Sequence, residues 1–184
     1  ALGRLVEGLG GVCESRQDGA ALPPGNRAAY AGTARIEDLE SADRVLIVGA
    51  DPRLEAPVLN ARIRKGWMAG AEVGVVGEAM DLTYEHHRFG AGPDSLQGVG
   101  RAALLGFLEE GERRVVVLGQ GALARADGAA VLGQVMELVE AASGGGGEDQ
   151  RGVGAGVLAV RGAALGVEAV ARDDAVADRA GVGL

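Results

Sequence analysis

Apolar positions along this chain fall into two kinds of pattern. Three short continuous runs, at 45–48, 73–76 and 115–118, alternate with longer stretches whose apolar residues recur at helical spacing. The runs read as strands over 44–49, 72–77 and 114–119, because a strand covered on both faces has no polar side to show. Between the first two, Leu59, Ile63 and Trp67 stand four apart with Val58 beside them, one stripe of a helix over about residues 55–69 that Gly70 ends. Arg62, Arg64 and Lys65 fall outside the stripe and face water or a partner. Leu96, Val99, Ala103, Leu104, Phe107 and Leu108 mark a second helix ending at Gly111, and the residues from Leu123 to Val139 mark a third. Strands separated by helices predict an α/β fold: a parallel Rossmann-like sheet with helices on both faces.

The remainder is less patterned. Leu2, Leu5, Val6 and Leu9 predict a helix stopped by Gly10-Gly11. Residues 13–33 are polar and turn-rich, 36–39 predict a helical turn, and 77–95 read as a polar connection holding His86 and His87. Residues 1–142 are taken as one domain, 143–156 as a glycine-rich linker or insertion, and 157–184 as a helical continuation with its helix between 157 and 170.

Composition narrows the function. A formal net charge of −8 argues against a nucleic-acid backbone as partner. Cys13 is the single cysteine, so this stretch builds no internal disulfide and no cysteine-based cluster. No apolar run approaches the roughly 20 residues that span a bilayer, and no secretory pattern opens the chain. Ala1 already lies within a helical pattern, so the sequence reads as an excerpt of a longer protein. Glycine reaches 33 of 184 residues, which lowers the weight of any single glycine as a signal.

Two loops are candidates for chemistry. Gly49-Ala50-Asp51-Pro52-Arg53 follows the first strand, where backbone N–H groups and a helix start can hold an anionic or nucleotide ligand and Asp51 can accept from a ribose. The bland alternative is that Asp51 and Pro52 only turn the chain. The loop has no G-x-G-x-x-G fingerprint. Gly119-Gln120-Gly121 ends the third strand and would line the same crevice, or be a simple turn. His86-His87 has no third ligand at a recognisable spacing, Cys13 no activating neighbour, and the carboxylates no acid/base pairing. Arg53, Arg62, Arg64 and Lys65 form a basic concentration fit for a phosphate, an acidic subunit or solvent.

The detailed wording of 45–84 resembles the large iron–sulfur subunit of the proton-pumping NADH–quinone oxidoreductase, respiratory complex I. Gly49, Pro52, Arg53, Glu55, Ala56, Pro57, the run from Leu59 to Lys65 and Trp67 stand in register with that family, as do Gly77-Glu78, Asp81-Leu82-Thr83-Tyr84, Gly90 and Pro93. Val115 to Gly119 and Asp127-Gly128-Ala129-Ala130 match further on, so the resemblance covers about 2–139. Asp51 replaces a usual Asn, His86-His87 a usual Tyr-Glu-His run, and 144–147 look inserted. The resemblance implies a molybdopterin-oxidoreductase-like domain that has lost its molybdenum cofactor, with Gly49, Asp51, Pro52, Gly119 and Gly121 a vestigial dinucleotide-type loop set. It implies no catalytic or metal-ligating residue here, iron–sulfur clusters in an N-terminal part of the parent subunit, and other peripheral-arm subunits as partners. It implies no direct insertion into the membrane, and a place on the cytoplasmic side of a bacterial inner membrane or the matrix side of a mitochondrial one. The competing class is a catalytic oxidoreductase of the formate dehydrogenase or nitrate reductase type, which holds a molybdopterin guanine dinucleotide at these strand ends.

Overall fold

A computed structural model describes residues 8–10, 34–143 and 155–160. Its centre is a five-stranded, wholly parallel sheet in the order β3-β2-β1-β4-β5. The strands are β1 Arg44–Val48, β2 Glu72–Val76, β3 His87–Gly90, β4 Arg114–Gly119 and β5 Ala155–Val160. The helices are α1 Asp38–Ser41, α2 Pro52–Glu55, α3 Pro57–Met68, α4 Gly98–Glu109, α5 Gln120–Leu123 and α6 Gly128–Ala142, with a 3-10 turn at Pro93–Leu96.

The chain moves outward from β1 to β2 and β3, then returns across β1 to β4 and β5. Right-handed crossovers made in opposite directions put their helices on opposite faces. Alternation along the strands shows this. Val45, Ile47, Val73 and Val75 join Leu39, Leu59, Ile63 and Leu82 in one cluster beneath α1 and α3. Leu46, Val48, Val116 and Leu118 join Leu104, Leu108, Leu132, Val135 and Leu138 in the other, beneath α4 and α6. Both faces are covered, which is why these strands read as unbroken apolar runs.

The expected strands are present, with β1 and β2 each one residue shorter than the reading of 44–49 and 72–77. Three expectations are corrected. The helix expected from residue 55 begins at Pro57, because Pro57 forces Ala56 out of the helical region (φ −146°, ψ 71°) and α2 becomes a separate turn. The connection at 77–95 contains β3, an edge strand whose first two residues are exposed and so give no apolar run. The helix expected over 157–170 is replaced at its start by β5, which pairs with β4 from Arg114↔Ala155 to Gly119↔Val160. Within the linker-and-continuation division at 143–184, β5 therefore carries the sheet past residue 142. A run of Ala, Gly, Val and Leu suits either element until a neighbouring strand selects one. Most of the helix at 2–9, the loop at 13–33 with Cys13, and residues 161–184 lie outside the described residues.

α3 seats closely because Gly66 faces α1. A Cβ there would lie 2.4 Å from the Leu39 carbonyl oxygen.

Candidate functional site

The order of strands reverses between β1 and β4, and in open parallel sheets the crevice at that switch point is where ligands bind. The fold brings both candidate loops there. Their backbones approach one another closely. A Cβ on Gly119 would lie 2.0 Å from the Gly49 carbonyl oxygen, and one on Gly49 would lie 2.6 Å from the Ala122 Cβ. Gly121 also approaches the Gly49 carbonyl, 3.7 Å from where its Cβ would stand. Gly49 has φ +60°, a left-handed conformation that glycine adopts without strain, and its N–H donates to the Val76 carbonyl at 2.9 Å. Two glycine backbones and the first turn of α5 thus pack against one another at the switch point.

The loop after β1 is also occupied by its own side chains. Asp51 is the N-cap of α2, its Oδ1 accepting from the N–H of Arg53 at 3.0 Å and of Leu54 at 3.3 Å. Glu55 Oε1 accepts from the Asp51 N–H at 2.8 Å, a reciprocal cap. Pro52 is buried in the first turn. An Asp51 carboxylate already sits where a phosphate would meet the helix start, and it would repel one. Arg53 turns away to the 81–87 strap, donating to the Asp81 carbonyl at 3.0 Å and pairing with its carboxylate. The Thr83 N–H and then Arg53 hold the Asp81 carboxyl below the usual range.

The rest of the run has internal partners as well. Asn60, the buried polar residue of the core among the described residues, accepts from the Tyr84 hydroxyl at 2.7 Å. Burial, with the Asp51 charge second, pushes the Tyr84 phenol well above its usual pKa, so it stays a neutral donor. Trp67 packs against Tyr84 with ring centroids 6.0 Å apart and the ring planes tilted by 31°. Arg62 and Lys65, expected to face water or a partner, both pair with Glu40 of α1. Lys65 foremost, and Arg62 with it, keep the Glu40 carboxyl ionised below its ordinary range. That ion pairing spans more than twenty residues of sequence, so helical spacing gave no sign of it.

His86 and His87 do not converge. His86 Nδ1 lies 3.2 Å from the Tyr84 carbonyl, and His87 Nε2 lies 3.5 Å from Glu72. No group of three or more potential ligands gathers among the described residues. The sequence reading missed a hollow of about 830 Å3 under the strap, walled by Trp67, Tyr84 and the start of β2. It lies away from the switch point, and its walls come from three separated stretches.

A parallel sheet whose strand order reverses between β1 and β4 defines a doubly wound α/β domain. This chain belongs to the molybdopterin oxidoreductase family, whose model matches residues 1–176. Among curated proteins it is 38% identical over 112 residues to the NADH dehydrogenase (ubiquinone) iron-sulfur protein 1, mitochondrial, of Solanum tuberosum, covering 59% of this chain and 15% of that protein. It is 36% identical over 115 residues to the mitochondrial NADH-ubiquinone oxidoreductase 78 kDa subunit of Neurospora crassa, covering 62% and 16%. The corresponding subunit of Candida albicans is 30% identical over 112 residues, 60% and 16% of the two chains. The matched stretch thus spans about a sixth of the length of these relatives. Among the described residues no helix is long and apolar enough to cross a membrane.

Proposed function

We propose that this chain is a structural, cofactor-free part of the large iron–sulfur subunit of a respiratory NADH–quinone oxidoreductase. The parent complex passes electrons from NADH to quinone through clusters held in a more N-terminal part of that subunit. This part serves as packing for the peripheral arm, beside the other subunits there, on the matrix or cytoplasmic face of the membrane. The similarity to mitochondrial NADH–ubiquinone oxidoreductase subunits supports the assignment to the complex.

The observation that carries the cofactor-free reading is the direct contact of Gly119 with the Gly49 carbonyl. A pyrophosphate needs open backbone N–H groups and a positive helix start. Close backbone packing at the switch point and the Asp51 carboxylate that caps α2 both support this reading. The residues present do not fit a molybdopterin dinucleotide, although family membership alone would equally suit a catalytic relative.

The test is the metal and pterin content of the full-length subunit, expressed in a host that makes molybdopterin guanine dinucleotide. Molybdenum, tungsten and pterin are expected far below one per subunit, with iron present. Stoichiometric molybdenum or tungsten with pterin would contradict the proposal and favour the catalytic class.

A further inference from the structure

The carboxylates in the walls of the hollow stand beside aromatic and apolar side chains. Glu72, Asp81 and Glu85 line it together with His86 and His87, and among the described residues no Arg or Lys does. Asp81 carries Arg53, and Glu72 lies 3.7 Å from Arg44, whereas Glu85 has no ion-pair partner among the described residues. Trp67, partly exposed, presents its indole to the hollow, and Tyr84 supports it from the core side.

We propose that this hollow is the docking site for an arginine-bearing segment of a neighbouring protein subunit. The inference rests on the proposed role within a multi-subunit complex and names the chemistry of one partner. A guanidinium is the group that satisfies these walls together. It is planar and stacks on an indole, while its N–H fork donates to carboxylates at the side. An ammonium keeps the charge but lacks the planar stack, and an anion is repelled by Glu85, whose charge no described cation offsets.

The site is formed before a partner arrives. Leu82 is completely buried and anchors the strap. Thr83 is held at φ +69° beside the Asp81 carboxylate, which accepts from its N–H at 3.0 Å. Binding therefore orders little of this chain, which favours affinity. The net charge of −8 adds a long-range attraction for a basic segment.

Trp67 is the only tryptophan of the chain, so its fluorescence reports from the wall of the hollow. The experiment titrates the 184-residue chain with hexa-arginine, hexa-lysine and hexa-glutamate at physiological salt. A saturable change of Trp67 emission is expected with hexa-arginine, several-fold weaker binding with hexa-lysine, and none with hexa-glutamate. The double variant Glu72→Gln/Glu85→Gln is expected to weaken hexa-arginine about tenfold, as two partly screened ion pairs imply. The charge-matched control Glu109→Gln/Glu140→Gln, at exposed sites on α4 and α6, is expected to weaken it less than about twofold, through general attraction alone. No saturable signal, equal losses in the two double variants, or equal binding of hexa-lysine would each overturn the inference. Such a failure leaves the scaffold proposal standing, because that rests on the packing of the switch point and not on the hollow.

Discussion

Gly119→Ala is expected to cost about 3 kcal/mol or more of folding stability, near or beyond the upper end of ordinary overpacking. The added Cβ would lie 2.0 Å from the Gly49 carbonyl oxygen and 2.8 Å from the Ala50 Cβ. Neither obstacle is the tip of a movable side chain. Gly49 is anchored through its N–H to Val76, and Ala50 is buried, so β1 and β4 must part at their C-terminal ends. Urea denaturation of the variant beside the parent chain measures the loss. A loss under about 1 kcal/mol, the size of a surface change, would mean that the two loops stand apart in solution and that the switch point is open.

Ile63→Ala is expected to cost about 2–5 kcal/mol, the range for emptying a packed core site of a large aliphatic side chain. Ile63 is fully buried on the α3 face that meets β1 and β2. Arg62 is its neighbour in sequence, but its head group pairs with Glu40 at a half-buried site. Arg62→Ala is therefore expected to cost less, since the pair remains partly open to solvent screening and Lys65 still pairs with Glu40. Denaturation curves of the two variants measure the contrast. Equal losses would show that α3 is rotated relative to the packing described. Trp67 shares the stripe with Ile63 but remains partly exposed, so full core energetics do not extend to it.

The three central strands and α3 were legible because their signals are local. A strand between two covered faces is apolar throughout, and Leu59 with Ile63 marks a buried helical stripe. β3 was not legible, because an edge strand beginning His87-Arg88 has no apolar face to advertise. The break at Ala56 was available from Pro57 but was outweighed by the continuing helical pattern. β5 failed for the opposite reason: a run of small apolar residues is compatible with both elements, and only pairing with β4 decides.

At the candidate site the loops holding Gly49, Asp51, Pro52, Gly119 and Gly121 follow the adjacent strands β1 and β4, which the apolar runs before them made legible. What the sequence could not supply was their mutual contact, which joins residues seventy apart. In a chain this rich in glycine, Gly119 carried no signal of its own, yet it is among the positions least able to change. The roles of Arg62 and Lys65 were hidden in the same way, since their partner Glu40 lies across an intervening strand. The family wording of 49–67 thus maps onto caps, close approaches and ion pairs within the domain.

The cofactor-free role requires that the strand-end loops be closed to a nucleotide. Guanosine diphosphate carries the base, ribose and pyrophosphate of the family's dinucleotide, and the amide resonances of Gly49, Asp51, Gly119 and Gly121 report directly from the switch point. Titration of the chain with millimolar guanosine diphosphate is expected to leave these four resonances unmoved. Saturable shifts concentrated at them would contradict the closed switch point.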